Sequence, residues 1–210
     1  MEELLYEVET RFSFPDREAA FAALPLLRPV LQGSSRWRTV HYGAALFKKD
    51  EILRIGFVDR GAGEQIYLGW KGPDHGNFAN IRLELDEEIS SGTDHSRVLA
   101  RIGGDGSLPG TAGLEAELER LGHAAFMSFT GENLTGFSAA LGIHFKLMHC
   151  PLLKHPWLLE AEKTSPTLEE AFRLEQKLSQ FAAQYGLTGL RVKAEPPTLL
   201  FQALMAETNF

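Results

Sequence analysis

The sequence is short of several things that would settle its class quickly. Its 210 residues include one cysteine, Cys150. No internal disulfide can form, and a clustered-thiolate zinc site is excluded. That usage suits a reducing compartment, and a cytoplasmic location is the expectation. Positive charge is scarce as well, with 21 Lys and Arg against 28 Asp and Glu and a net charge of -7. Binding to a nucleic-acid backbone relies on a clustered cationic excess, so no nucleic-acid partner is expected. Net charge does not fix where the charges sit, and a local basic cavity remains compatible with it. No stretch is long and apolar enough to span a bilayer. No signal-peptide pattern opens the chain, since Met1-Glu2-Glu3 is acidic and the next apolar residues are interrupted by Glu7, Glu9 and Arg11. No repeat or low-complexity segment is present. The glycine-rich stretch Gly103 to Gly113 reads as a loop, and no Gly-Lys-Ser/Thr follows it to make a P-loop. His41, His144, His149 and His155 show no coherent metal-ligand spacing.

What is present is a hydrophobic content of 44%, enough to bury a core, and the chain reads as one domain, residues 1–210. The stretch Leu5 to Phe14 organises the reading. At the two-residue period of a strand, Glu7, Glu9, Arg11 and Ser13 share one face and Val8, Thr10, Phe12 and Phe14 the other. A helix follows over Arg17 to Leu24, with Asp16 near its start and Pro25 at its end. Trp37 to Phe47 reads as a broken extended segment. Leu53 to Val58 and Ile66 to Lys71 form two strands around the turn Arg60-Gly61-Ala62-Gly63. Lys71-Gly72-Pro73 ends the second of these. Asn80 to Asp86 repeats the opening pattern, with Ile81, Leu83 and Leu85 opposed to Arg82, Glu84 and Asp86.

Short helices are expected at His95 to Ile102 and at Leu114 to Leu121, the latter with Leu114, Leu118 and Leu121 at helical spacing. Phe126 to Thr130, Ile143 to Met148 and Trp157 to Glu162 read as strands. Ser165-Pro166-Thr167 begins a helix to about Gly186, with Thr167 and Glu170 at capping-box spacing and Ala171, Leu174, Leu178 and Phe181 on one face. A last strand runs from Leu190 to Ala194.

Several strands thus pair an apolar face with one made of Glu, Asp, Arg and Lys together. A single such strand is satisfied by a charged face that meets water. Repetition points to another architecture, α+β, in which a closed antiparallel barrel carries helices outside and a charged, hydrated interior. Its natural ligand is a polyanion with a divalent metal, Mg²⁺ or Mn²⁺ on carboxylates and phosphate oxygens on Arg and Lys.

The residues carry a resemblance to the CYTH superfamily, the triphosphate tunnel metalloenzymes. It includes thiamine triphosphatases, inorganic triphosphatases and class IV adenylyl cyclases. Glu7-Val8-Glu9-Thr10-Arg11 resembles the family's Glu-x-Glu-x-Lys, with Arg for Lys. Leu53-Arg54-Ile55 is similar to its Leu-Arg-x-Arg, Lys71-Gly72-Pro73 to its Lys-Gly-Pro, and Arg82-Leu83-Glu84-Leu85-Asp86 to its Arg-x-Glu-x-Glu. Leu159-Glu160-Ala161-Glu162 resembles its later Glu-x-Glu, and a long helix follows. The order of motifs holds from Leu5 to about Lys193. The family's second arginine is Gly56 here, its basic pair near Phe126 to Thr130 is missing, and its aspartate ahead of the later Glu-x-Glu falls near His149 and Cys150.

The resemblance implies an eight-stranded tunnel barrel and metal-dependent hydrolysis of a triphosphate: inorganic triphosphate, thiamine triphosphate or a nucleoside triphosphate. It implies a metal set of Glu7, Glu9, Glu84, Asp86, Glu160 and Glu162. Arg11, Arg54, Lys71 and Arg82 would hold phosphate, with Arg191 and Lys193 at the final basic position and Lys146 replacing a missing one. Catalysis would rest on Glu7 and Glu9, with Tyr42 and Lys71 as a general-base pair. Two alternatives stay open, a class IV adenylyl cyclase making cyclic AMP and a non-catalytic polyphosphate or nucleotide binder. The expected partner is a small triphosphate or polyphosphate, with no membrane involved. The sequence sets no oligomeric state.

Overall fold

The computed structural model describes residues 4–89 and 94–207. The acidic opening Met1-Glu2-Glu3 lies outside the described residues. In chain order the elements are β1 (Leu5–Phe14), α1 (Arg17–Ala23), α2 (Leu27–Val30), β2 (Gly33–Tyr42), α3 (Ala44–Phe47), β3 (Ile52–Asp59), β4 (Glu64–Lys71) and β5 (Asn80–Glu88). Then come α4 (Arg97–Arg101), α5 (Leu114–Arg120), β6 (Ala125–Ser138), β7 (Ile143–His149), β8 (Trp157–Ser165), α6 (Leu168–Gln184), β9 (Arg191–Val192) and α7 (Pro196–Glu207).

The strands form one sheet of order β5-β4-β3-β2-β6-β7-β8-β1-β9, and an added β5–β1 pairing closes it. With the two-residue β9 set aside, this is a closed antiparallel barrel of eight long strands in an α+β fold. The hairpin between β3 and β4 turns through Gly61 and Gly63, at φ 85° and 117°. Those left-handed values are ones that side chains with a Cβ disfavour. Among the described residues no helix is long and apolar enough to cross a membrane.

The chain divides into two compact units. One holds Arg36–Asp74 and Leu83–Thr130, and the other holds Leu5–Ser35, His75–Arg82 and the chain from Gly131 onward. In the first, Val40, Tyr42, Leu53, Ile55, Leu68, Trp70 and Leu85 from the strands pack with Val98 and Leu99 of α4 and Leu114 and Leu118 of α5. In the second, Val8, Phe12 and Phe14 of β1, Phe145 and Leu147 of β7 and Leu159 of β8 pack with Phe21 of α1 and Ala171, Leu178 and Phe181 of α6. Each fully buried side chain of this size contributes about 1.5–3 kcal/mol relative to exposure. The cap of α6 forms as its spacing predicts, with Thr167 Oγ1 accepting from the Glu170 N–H at 3.2 Å.

The largest differences from the sequence reading are four. Trp37 to Phe47 is not one broken strand: β2 starts at Gly33, ends at Tyr42 and is followed by a helical turn. The strand expected at Phe126 to Thr130 continues through Gly131-Glu132-Asn133 to Ser138. The last strand shrinks to two residues, β9. Beyond it α7 begins at Pro196, a position where the missing proline N–H costs a helix nothing.

Candidate functional site

The second unit carries a charged face that is buried. The register pairs Glu9 with Glu162, Arg11 with Glu160 and Glu7 with Thr164 across β1 and β8. It pairs Lys146 with Glu160 and His144 with Glu162 across β7 and β8. These residues therefore occupy one side of three neighbouring strands. Glu7, Glu9, Arg11 and Glu160 are all buried, and Glu162 is half-buried. The opening strand thus has no water-facing side at its centre.

Arg11 is the hub. Its side chain is 0% exposed and contacts three carboxylates: Glu9 at 2.7 Å, Glu160 at 2.9 Å and Glu195 at 2.7 Å. Its Nη1 also donates to Asn80 Oδ1 at 2.7 Å. Burial works against the guanidinium charge, yet Glu195, Glu9 and Glu160 together keep Arg11 protonated far above the ordinary range. Burial likewise opposes ionisation of Glu160, but Lys146 and Arg11 hold its carboxyl well below the usual carboxylate range. Lys146 forms an ion pair with Glu160 Oε2. Arg82 pairs through Nε with Glu195 at 3.0 Å. Glu160 also adds to the effect of burial on the nearby Cys150 thiol, which is pushed up to about 12 and stays protonated.

Arg191 and Lys193 lie in the same unit with a different set of contacts. Arg191 donates to the Phe78 carbonyl at 2.7 Å, and Lys193 to the Gly76 carbonyl at 3.0 Å. The same loop is held by Glu175 of α6, whose Oε1 accepts from the N–H groups of Asn77, Phe78 and Ala79 at 2.6, 2.7 and 2.9 Å. This clamp leads directly into Asn80 and Arg82.

The first unit has its own charged face. Its registers align His41 with Arg54, Arg54 with Gly69, Gly69 with Asp86 and Lys71 with Glu84. Arg54 reaches Glu84 at 3.1 Å and Asp86 at 3.6 Å, and Lys71 reaches Glu84 at 3.5 Å. Exposure is greater here, at 29% for the Arg54 side chain and 42% for Asp86. His41 is buried, and burial together with the Arg54 charge lowers its pKa to about 3. Gly56, where the family resemblance calls for a second arginine, pairs with Tyr67 on this face, and a Cβ added there would meet Tyr67 Cβ at 3.9 Å, an ordinary contact.

Tyr42 lies on the opposite side of β2 from His41. It packs with Leu53 and Trp70 in the apolar cluster, and burial raises its phenol pKa beyond the ordinary range, with Glu115 adding to the effect. Lys71 sits on the charged face, so the two do not share a side of the sheet. Sequence reasoning missed Glu195, Asn80, His41 and Glu175. Glu195 had a legible signal, because Arg191, Lys193 and Glu195 follow the two-residue period of the other charged strands.

The donor chemistry of Glu7, Glu9, Glu160 and Glu162 suits a hard divalent cation, and Glu9 directly faces Glu162 across the ladder. Like charges placed opposite each other destabilise a sheet unless a cation lies nearby. In the arrangement seen here, Arg11 and Lys146 supply positive charge to this face. Among the described residues no three His, Cys, Asp or Glu side chains converge closely enough to hold a metal ion.

No family model matches the sequence, and no curated protein does. Solved structures do match the fold along nearly the whole chain. A protein of Pyrococcus horikoshii OT3 superposes with a TM-score of 0.71 at 17% identity, covering 96% of this chain and 99% of that one. A candidate adenylate cyclase of Vibrio parahaemolyticus gives 0.66 at 13% identity, with 95% and 99% covered. A candidate adenylyl cyclase from Hippeastrum, described as having a dominant triphosphatase activity, gives 0.62 at 18% identity, with 95% and 96% covered. At these identities the likeness is one of fold.

Proposed function

We propose that this chain is a divergent CYTH protein that binds a triphosphate and hydrolyses it with Mg²⁺ or Mn²⁺. The observation that carries the reading is the buried, mixed-charge face around Arg11. A face of this kind is costly to bury unless its charges pair, and replacing buried ion pairs by apolar residues is often neutral or stabilising. Its presence on three adjacent strands is explained by a charged ligand, and the same-fold Hippeastrum protein with triphosphatase activity points to the same ligand class.

In this reading Arg11, Arg82 and Lys146 bind phosphate oxygens and neutralise charge spread over the terminal phosphoryl group. In the first unit, Arg54 and Lys71 are a second pair of cations suited to phosphate oxygens. Glu7, Glu9, Glu160 and Glu162 are the carboxylates that would hold the cation, and they would have to draw together to do so; Glu84 and Asp86 orient Arg54 and Lys71. The divalent ion supplies Lewis-acid polarisation and a water of lowered pKa when bound. Arg191 and Lys193 support the loop that leads to Asn80 and Arg82. Tyr42 has no part in the chemistry, because its hydroxyl belongs to the apolar side.

The test is product formation from inorganic triphosphate, thiamine triphosphate and ATP with Mg²⁺ or Mn²⁺, with Glu7→Ala and Glu9→Ala as controls. Phosphate release that both substitutions abolish supports the hydrolase and ranks its substrates. Cyclic AMP with pyrophosphate moves the chain to the cyclases. Gly56 in place of an arginine and the missing basic pair near Phe126 to Thr130 favour a second reading, a triphosphate binder without turnover. Binding with no product from any of the three substrates selects it.

A further inference from the structure

The residue that links the two buried arginines is absent from every family motif matched above. Glu195 places Oε2 2.7 Å from Arg11 Nη2 and Oε1 3.0 Å from Arg82 Nε, and it is 5% exposed. It is therefore a buried carboxylate shared between two guanidinium groups, a geometry in which phosphate oxygens also bind well. Arg11 does not depend on it for orientation, since Glu160, Glu9 and Asn80 already hold the same side chain. The ion pairs of this cluster join three cations, Arg11, Arg82 and Lys146, to three carboxylates, Glu9, Glu160 and Glu195. That set is neutral with Glu195 and carries one net positive charge without it.

We infer that Glu195 is a resident anion and a specificity-determining residue: it occupies the arginine faces that a phosphate group would take, and a ligand must displace it. The inference rests on the triphosphate-binding reading given above. A carboxylate tethered to the chain competes at a high effective concentration. A ligand with a single phosphate, offering few contacts, loses that competition, whereas a triphosphate brings enough charge and enough oxygens to win it. Displacement has a structural readout. The Glu195 carbonyl accepts from the Leu199 N–H at 3.0 Å, so the same residue starts α7. Moving Glu195 off the arginines disturbs the first turn of that helix.

The test measures binding of inorganic triphosphate and of orthophosphate, without metal, to the wild-type chain, Glu195→Gln and Glu195→Asp. Glutamine keeps the shape and one acceptor oxygen, which can face Arg82 while Arg11 keeps Glu9, Glu160 and Asn80, and the competing charge is gone. Glu195→Gln is expected to bind triphosphate roughly tenfold or more tightly than wild type and to gain measurable orthophosphate binding, an effect of the size that one nearby charge exerts. Glu195→Asp keeps the charge and is expected to bind like wild type or more weakly. In the wild type, triphosphate is expected to speed amide hydrogen exchange in the first turn of α7. If the wild type binds triphosphate and Glu195→Gln is no tighter, or α7 becomes more protected, the inference is overturned while the binding reading stands. If neither protein binds triphosphate, with or without Mg²⁺, both are overturned.

Discussion

The two charged faces obey the same strand period and differ in how deeply they are held. Around Arg11 the hub side chain is 0% exposed and the carboxylates facing it at most 5%. Around Arg54 the hub is 29% exposed and one of its partners 42%. Water screens the second set and scarcely reaches the first, so the same change of charge costs very different amounts in the two places. Alternation alone places charged residues on one side of a strand. Depth decides whether each pair is structural, and only the Arg11 set is deep enough to be.

The largest expected effect breaks that comparison directly. Arg11→Met leaves Glu9, Glu160 and Glu195 without their shared cation, and a loss of about 3–5 kcal/mol in unfolding free energy is expected. Urea denaturation checks it. A loss below about 1 kcal/mol, the range of an exposed pair, would mean that the cluster is hydrated and the contrast in depth is false.

Next comes a titration within the first unit. His41 is held neutral, with its pKa lowered from 6.5 to about 3 by burial and by Arg54. The unfolded chain takes up a proton below its own value of about 6.5 and the folded chain does not, so stability falls as pH drops from there towards 3. Each pH unit in that window costs about 1.4 kcal/mol. His41→Gln removes the proton uptake. The difference in unfolding free energy between wild type and variant is expected to shift by about 3 kcal/mol between pH 7.5 and 4.5. Glu160 enters later, because a carboxyl held low by Lys146 and Arg11 keeps its full stabilising effect above the unfolded carboxylate range and loses it only as pH falls further. Parallel curves for the two proteins would show that His41 is hydrated.

A smaller effect concerns the clamp that feeds the deep cluster. Glu175→Ala removes the acceptor of three backbone N–H groups in the loop before Asn80. About 2–3 kcal/mol is expected, since buried donors left without a partner carry their desolvation cost. Amide exchange at Asn77, Phe78 and Ala79 should quicken more than exchange in β3 or β4. Uniform quickening would mean a general loss of stability in place of a local release.

Much of this was legible in the sequence, for physical reasons that particular residues show. Leu5 to Phe14 announced both faces, because a strand's period places Glu7, Glu9 and Arg11 together whatever surrounds them. Which carboxylate pairs with which cation was not legible, since it depends on register between strands far apart in the chain, such as Arg11 opposite Glu160. The polar run Gly131-Glu132-Asn133 hid the continuation of β6, because turn residues tolerate a strand when its neighbours pair with it. Glu195 lies one residue beyond the strand read at Leu190 to Ala194, although it keeps that strand's two-residue period. Tyr42 was singled out by the resemblance alone; the pairing of His41 with Arg54, which puts the histidine on the charged face, depends on register and was not legible.

The smallest stability effect sharpens the comparison from the other side. Arg54→Met breaks ion pairs to Glu84 and Asp86 at 3.1 and 3.6 Å, both partly open to solvent. Solvent screening limits the expected cost to about 1 kcal/mol or less. If Arg54 serves a phosphate, the substitution should nevertheless weaken triphosphate binding by about tenfold, since a charged contact to an anion is worth more than an exposed pair. The two measurements together separate a binding residue from a structural one. Near-normal urea stability with reduced triphosphate affinity assigns Arg54 to the ligand, whereas normal values of both would leave its carboxylates as its whole purpose and confine phosphate recognition to the Arg11 face.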